Sequence, residues 1–231
     1  MATLEKFDDI YARACERKGG EAQLESLLPQ TLSSDEIMQY QDAELLSAMS
    51  MQVFQSGFVW KVVEAKWPAY QQAFFQFDPN KVMLLSPEQL QARASDPQLI
   101  RHLKKTQAIY DNALMIRDIM QDHGSLARYI ALWPVEEIVG LWQALKQQGS
   151  RLGGNTGPYF LRKIGKDTFL LTEDIKGYLL AHKLVDASFS SKTGLTQVQA
   201  AFNQWQQSSG RTMAEISRII ACSVGDNRLS S

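Results

Sequence analysis

Apolar residues recur every three or four positions along almost the whole chain of 231 residues. Between positions 42 and 67 the repeating apolar positions are Leu45, Leu46, Met49, Val53, Phe54, Gly57 and Trp60. This spacing puts the side chains on one face of a helix. The period of two that marks a half-buried strand is confined to a short stretch at 167–171. The pattern therefore predicts an all-α fold.

Residues that favour helix N-caps stand before several of these predicted helices: Ser33 or Ser34, Ser86 before Pro87, Asp96 before Pro97, Thr172, and Thr212. One helix is predicted over 58–67, with Pro68 as a break or a first-turn residue. Further helices are predicted at 5–18, 21–27, 34–39, 68–76, 79–83, 87–93, 97–121, 124–132, 135–148, 158–164, 172–182, 194–208 and 212–223. Because no linker, low-complexity tract or repeat interrupts them, we predict one helical domain over 1–231, compact or with two helical lobes.

The charge of the chain is balanced overall but uneven along its length. The 24 basic and 25 acidic side chains give a formal net charge of −1, which excludes a uniformly basic protein that coats nucleic acid. Residues 1–50 carry a net charge of −6, and residues 146–183 carry a net charge of +4. The basic segment is either a solvated helix face or a local patch that faces phosphate.

No apolar run approaches the roughly 18 to 20 residues of a membrane span, and the first ten residues carry acids instead of a secretory signal. The two cysteines, Cys15 and Cys222, lie far apart and without CxxC spacing, which favours reduced and buried thiols. We therefore expect a soluble cytoplasmic protein without a membrane partner.

A glycine-rich segment at 149–158 separates two of the predicted helices, so that residues 136–165 read as helix, hairpin, helix. Glycines let backbone N–H groups at the start of the second helix converge on an anion, and DNA phosphate is such an anion. The basic residues Arg151, Arg162 and Lys163 favour that interpretation. An ordinary αα-hairpin, with glycines for chain reversal, is the alternative.

Four segments carry a resemblance to a known family. They are Gln55–Trp60 (QSGFVW), Phe74–Val82 (FFQFDPNKV), Ile100–Ile109 (IRHLKKTQAI) and Asn112-Ala113. Together with the hairpin and the acid at Asp174, they resemble the DNA-3-methyladenine glycosylase I family of helix-hairpin-helix DNA glycosylases over roughly residues 40–180. The resemblance implies a helical glycosylase fold and an enzyme that removes alkylated purines, of the 3-methyladenine type, from double-stranded DNA in base excision repair.

The resemblance also implies roles for individual residues. Trp60 would stack on the extruded base, and Gln52 and Tyr11 would contribute to the base pocket. Asp174 would be the catalytic carboxylate near the sugar, although a first-turn acid that complements the helix dipole behind Thr172 is the alternative. The hairpin residues Gly153, Gly154, Asn155, Thr156 and Gly157, with Arg151, would bind the DNA backbone.

Phe58 is a candidate wedge into the duplex, or a core residue. Arg101, Lys104 and Lys105 form a second basic group, which reaches the DNA backbone or is a solvated face. No Lys follows Gly154 in the hairpin, where bifunctional relatives carry their amine, so we expect a monofunctional enzyme. We also expect the protein to be a monomer.

The sequence departs from the family at two places. The family has a Glu that contacts the base where this chain has Gln52, so the negative charge that selects a cationic base is missing there. A catalytically inactive DNA-binding or protein-binding module is therefore the alternative function. The family also holds a structural zinc with Cys and His ligands, and His102, His123 and His182 do not match those ligands. We expect no metal and no cofactor.

Overall fold

The computed structural model describes residues 4–225, which form α-helices and two short 3₁₀ turns without a strand. This confirms the all-α prediction. The chain divides into two compact units. The first comprises residues 4–31, 134–139 and 167–225, and the second comprises residues 32–133 and 140–166. Among these residues, no helix is long and apolar enough to cross a membrane.

The first unit contains five helices and one 3₁₀ turn, Val135–Glu137. The helices are α1 Phe7–Lys18, α2 Glu21–Glu25, α12 Glu173–Ala181, α13 Lys192–Ser209 and α14 Met213–Ser223. Helix α1 packs against α14, and α13 packs on both. Phe202 lies between Phe169, whose ring is stacked 4.1 Å away, and the buried Trp205. Residues 167–171, which alternate in the sequence, form no strand but run as an irregular segment.

The second unit contains α3 Ser34–Ile37, α4 Asp42–Gln55, α5 Trp60–Ala73, the 3₁₀ turn Phe75–Phe77, α6 Pro79–Val82, α7 Pro87–Ser95, α8 Leu103–His123, α9 Leu126–Leu132 and α11 Thr156–Lys163. Helix α10, Ile138–Gln148, belongs to this unit from Gly140 onward. Helix α4 packs against α5, α8, α9 and α11. Its apolar face is completely buried, and each large side chain there contributes roughly 1.5–3 kcal/mol.

The predicted N-caps at Ser33, Ser86, Thr172 and Thr212 are confirmed. Ser33, Ser86 and Thr212 form capping boxes with a Glu or Gln three residues later, and the Thr172 hydroxyl accepts from the N–H of Ile175. The predicted helix start at Asp96 is wrong. Helix α8 begins only at Leu103, where the His102 ring accepts from the Lys105 N–H.

Pro68 neither ends one helix nor begins another, so the predicted boundary there is wrong, and α5 runs through it to Ala73. Proline removes one helical N–H and crowds the preceding turn. Here Pro68 is exposed, whereas its neighbours Trp67 and Tyr70 are buried against Phe54. We attribute the continuous helix to this packing, which outweighs the loss of one hydrogen bond.

Phe75, Gln76 and Phe77 form a left-handed turn with φ of 55°, 55° and 60°. Such a backbone costs roughly 1–2 kcal/mol per residue. Buried Phe77 stacks on Trp67 at 5.3 Å, which holds the turn in place. Asp78 then caps α6 by accepting from the Asn80 N–H. The phenylalanine of the Phe-Asp-Pro motif is thus a core residue, and its aspartate is a helix cap.

Candidate functional site

Two glutamines are buried on one face of α4. Gln52 is 7% exposed and Gln55 is 6% exposed. Within residues 4–225 the Gln52 side chain makes no hydrogen bond, and its amide atoms remain accessible to solvent. The Gln55 Nε2 donates to Glu64 Oε1 at 3.3 Å, but the Gln55 Oε1 is buried and unpaired. Most buried amide atoms in proteins have a partner, so the unpaired Gln55 Oε1, one helical turn from the open amide of Gln52, indicates a place where a polar ligand is expected.

Trp60 is the first residue of α5 and is half exposed. Its ring meets the ring of Tyr159, on α11, edge to face with centroids 6.0 Å apart. Tryptophan side chains are highly buried on average, so a half-exposed indole is less common. The Tyr159 contact supports the ring while half of its surface remains available for stacking.

The turn between α4 and α5, residues 56–59, is held by the buried ammonium group of Lys105. This residue is 5% exposed, and its Nζ donates to Val53 O at 2.5 Å, to Phe54 O at 3.3 Å and to Ser56 Oγ at 3.2 Å. The ammonium therefore caps the C-terminus of α4, where the helix dipole is negative. It also lies 5.2 Å from the ring centroid of Phe58.

Both interpretations of Lys105 as part of an exposed basic group are thus wrong. Burial, and secondarily the positive charge of Arg151, lower the pKa of Lys105. Its neighbour Lys104 is exposed. The sequence did contain a signal, because Lys105 stands three and four positions before the buried Ala108 and Ile109 and so shares their helix face.

The glycine-rich hairpin is fastened to α8. The buried Asn112 side chain donates to Ser150 O at 3.2 Å and accepts from Ser150 N at 2.7 Å. Arg151, with φ of 61°, donates to Lys104 O at 3.2 Å. Helix α8 therefore holds the hairpin through Asn112 and the α4–α5 turn through Lys105, two helical turns apart.

Three glycines shape this hairpin differently. Gly157 lies so close to the backbone that a Cβ would be 2.8 Å from Leu152 O. Gly154 has φ of 62° and open space around its Cβ position, and Gly153 faces the Lys146 stem. The exposed cations Lys146 and Arg151 thus lie at an open glycine backbone, and Arg151 is anchored on the backbone carbonyl of Lys104. Helix α11 begins at Thr156, two residues earlier than predicted.

Asp174 belongs to the first unit, in the first turn of α12 behind the Thr172 cap, and is half-buried. Gly225 lies against it, since a Cβ there would be 2.5 Å from Asp174 Oδ1. The carbonyl of Gly225 accepts from Arg17 Nη2. The catalytic role of Asp174 stays a prediction.

Tyr11, also in the first unit, donates its hydroxyl to Glu25 at 2.6 Å and to Glu21 at 3.1 Å. Burial and these two carboxylates raise the pKa of Tyr11. The Arg211 guanidinium binds Glu25 through both terminal nitrogens and lies over the Tyr11 ring. The Tyr11 hydroxyl is thus committed to this network, and its contribution to a base pocket stays a prediction.

Cys222 is buried, as expected, but Cys15 is only half-buried, so that expectation is wrong for Cys15. Both thiols are free. Within residues 4–225 no three His, Cys, Asp or Glu side chains are grouped so that they could hold a metal ion.

Comparison with known proteins connects these features to a family. The methyladenine glycosylase family model matches residues 36–153, about half of the chain. The chain is 32% identical over 75 residues to DNA-3-methyladenine glycosylase of Haemophilus influenzae, covering 32% of this chain and 40% of that protein. It is 36% identical over 70 residues to DNA-3-methyladenine glycosylase 1 of Escherichia coli, covering 30% of this chain and 37% of that protein. The chain thus spans about two fifths of the length of these curated relatives.

A solved structure of 3-methyladenine DNA glycosylase I from Staphylococcus aureus aligns with a TM-score of 0.51 and 23% identity, over 67% of this chain and 92% of that one. This likeness defines the class, an all-α protein with the fold of that glycosylase. The family match is more specific, and the chain belongs to the methyladenine glycosylase family.

Proposed function

We propose that this protein is a monofunctional DNA glycosylase, which hydrolyses the N-glycosidic bond of alkylated purines of the 3-methyladenine type during base excision repair. The observation that carries the proposal is the presence of Gln52, whose side chain is largely buried and makes no hydrogen bond, and of the half-exposed Trp60 on consecutive helices. These are the polar and the stacking group that an extruded base requires. The chain is proposed to act as a cytoplasmic monomer on double-stranded DNA.

Base recognition follows from the chemistry of these two side chains. A purine inside a duplex is inaccessible, so the nucleotide must rotate out of the stack. Trp60 then offers an electron-rich face, which favours a cationic methylated purine. The Gln52 carbonyl oxygen accepts from an exocyclic amino group, and its NH₂ donates to a ring nitrogen. Phe58, in the turn that Lys105 holds, fills the gap left in the duplex.

Bond cleavage needs little acid catalysis, because an alkylated cationic purine is a good leaving group. Positive charge develops on the sugar as the bond breaks, and a carboxylate stabilises it and orients the attacking water. We assign this role to Asp174 on its chemistry and on the family resemblance. The hairpin residues 153–157, with Arg151, bind the DNA backbone through open N–H groups and the surrounding cations.

Release of free base from methylated duplex DNA, followed by chromatography under single-turnover conditions, tests the proposal. We expect release by the wild type, a loss of at least tenfold in Trp60→Ala, and a loss in Asp174→Asn. Leu132→Ala, which also truncates an exposed apolar residue of the second unit, is the control and should match the wild type. An inactive wild type would refute the enzyme, whereas an active Asp174→Asn would refute only that assignment.

A catalytically inactive DNA-binding module is the second candidate, and the neutral Gln52 at a position where the family has an acid favours it. In that case the wild type would bind duplex DNA with a steep salt dependence but release no base from any alkylated substrate.

A further inference from the structure

A carboxylate lies on the helix that carries Trp60. Glu64 stands four residues after Trp60 on α5, so the two side chains lie on one helix face about 6 Å apart at their Cβ atoms. Within residues 4–225 its one hydrogen bond comes from Gln55 Nε2 at 3.3 Å. Gln55 is one helical turn after Gln52 on α4. The Gln55–Glu64 hydrogen bond therefore connects α5, which carries Trp60, to the face of α4 that carries Gln52.

The unpaired Oε1 of Gln55 indicates that the hydrogen bond to Glu64 determines the orientation of the Gln55 amide. Burying an amide oxygen without a partner is unfavourable, yet Gln55 Oε1 is buried in this way. The opposite amide orientation would direct that oxygen at the Glu64 carboxylate, and two acceptors would repel each other. The amide thus keeps its N–H on Glu64, which is a charge-assisted hydrogen bond. Gln55 in turn keeps the carboxylate near the buried glutamines.

The buried ammonium of Lys105 does not neutralise the Glu64 carboxylate. The Lys105 ammonium is bound to Val53 O, Phe54 O and Ser56 Oγ, so its charge is directed at the C-terminus of α4. No ion pair between Lys105 and Glu64 is present among the described residues. The Glu64 charge therefore remains available to a ligand.

We propose that Glu64 determines specificity for cationic alkylated purines, by supplying at the end of a Gln55–Glu64 pair the negative charge that Gln52 lacks. The inference rests on the proposed function, because it places the purine on Trp60. Glu64 is exposed, so we use an effective dielectric constant of about 40; with the Cβ separation of about 6 Å taken as the distance between a stacked cation and the carboxylate, one such charge changes affinity about tenfold. Glu64 is thus a selectivity residue and not the group that breaks the bond.

The test compares two duplexes of the same shape and different charge. One contains 3-methyladenine, which is cationic as a nucleoside, and the other contains the neutral 3-methyl-3-deazaadenine. For the 3-methyladenine duplex, the concentration that gives half-saturation is measured from single-turnover base release. For the 3-methyl-3-deazaadenine duplex, the dissociation constant is measured by fluorescence anisotropy. We expect Glu64→Gln to weaken the cationic duplex about tenfold and to leave the neutral duplex within twofold of the wild type.

Asp118→Asn is the matched control, because it removes one exposed negative charge of the second unit. It should change neither duplex by more than twofold. The double variant Gln52→Glu/Glu64→Gln should bind the cationic duplex as the wild type does, because it returns one negative charge to the site. Equal weakening of both duplexes by Glu64→Gln, or no weakening beyond the control, would overturn the inference while wild-type base release still supports the proposed function. A wild type that releases no base would overturn the function itself.

Discussion

Asn112 is the side chain on which the position of the glycine-rich hairpin most depends. Asn112→Ala removes two hydrogen bonds to the backbone of Ser150, at 2.7 and 3.2 Å, from a completely buried site. Each bond contributes about 1–1.5 kcal/mol. Ala is a better helix former than Asn by about 0.5 kcal/mol, which offsets part of the loss. We therefore expect the free energy of unfolding to fall by about 2 kcal/mol.

Urea denaturation of the wild type and of Asn112→Ala measures this difference, with hydrogen exchange at Ser150 as a local readout. The control is Gln107→Ala on the same helix, where one half-buried hydrogen bond to Asp111 is lost. That pair contributes roughly 0.2–0.5 kcal/mol. If Asn112→Ala destabilises no more than the control, or if exchange at Ser150 is unchanged, the hairpin is not held by Asn112 and the reasoning fails.

Three further predictions concern other parts of the two units. Gly154→Asp should lower stability by about 1 kcal/mol, because φ of 62° strains a residue that has a Cβ although the space around it is open, and should weaken duplex binding by repelling phosphate; unchanged salt-dependent binding would refute the hairpin as a phosphate site. Gly157→Ala should destabilise by about 1–3 kcal/mol in urea, since its Cβ would collide with Leu152 O. The Arg13 guanidinium and the Tyr178 hydroxyl bind Glu5 and, against the effect of burial, lower its pKa below 4.5. The stability that Glu5 adds is therefore present at pH 7 and is lost as the pH falls below 4.5, so the gap between wild type and Glu5→Gln should narrow there; a gap independent of pH would contradict this.

Much of this fold is predictable from the sequence, because its determinants are local. Apolar spacing gives the helices, and hydroxyl residues with a Glu or Gln three positions later give the caps at Ser33, Ser86 and Thr212. The continuous α5 is not predictable in this way. The packing of Trp67 and Tyr70 on Phe54 involves residues more than ten positions away, and it overrides the local preference of Pro68.

The same distinction between local patterns and tertiary contacts applies to the candidate site. Gln52 and Trp60 are found from the spacing of a recognisable motif, and their burial and exposure agree with the roles proposed for them. Lys105 and Glu64 are not found in this way, since one looks like a surface cation and the other like a surface acid. Their significance comes from tertiary contacts, the ammonium on the α4 carbonyls and the carboxylate on Gln55.

We expect this chain to excise an alkylated purine and to leave the DNA backbone intact. The most direct measurement counts free 3-methyladenine and abasic sites in the same sample of methylated duplex after incubation with the wild type. The account predicts one abasic site per released base, with strand breaks only after alkali, because no amine follows Gly154 in the hairpin. No released base above the enzyme-free background would contradict the claim, and breaks that precede alkali would contradict a monofunctional mechanism.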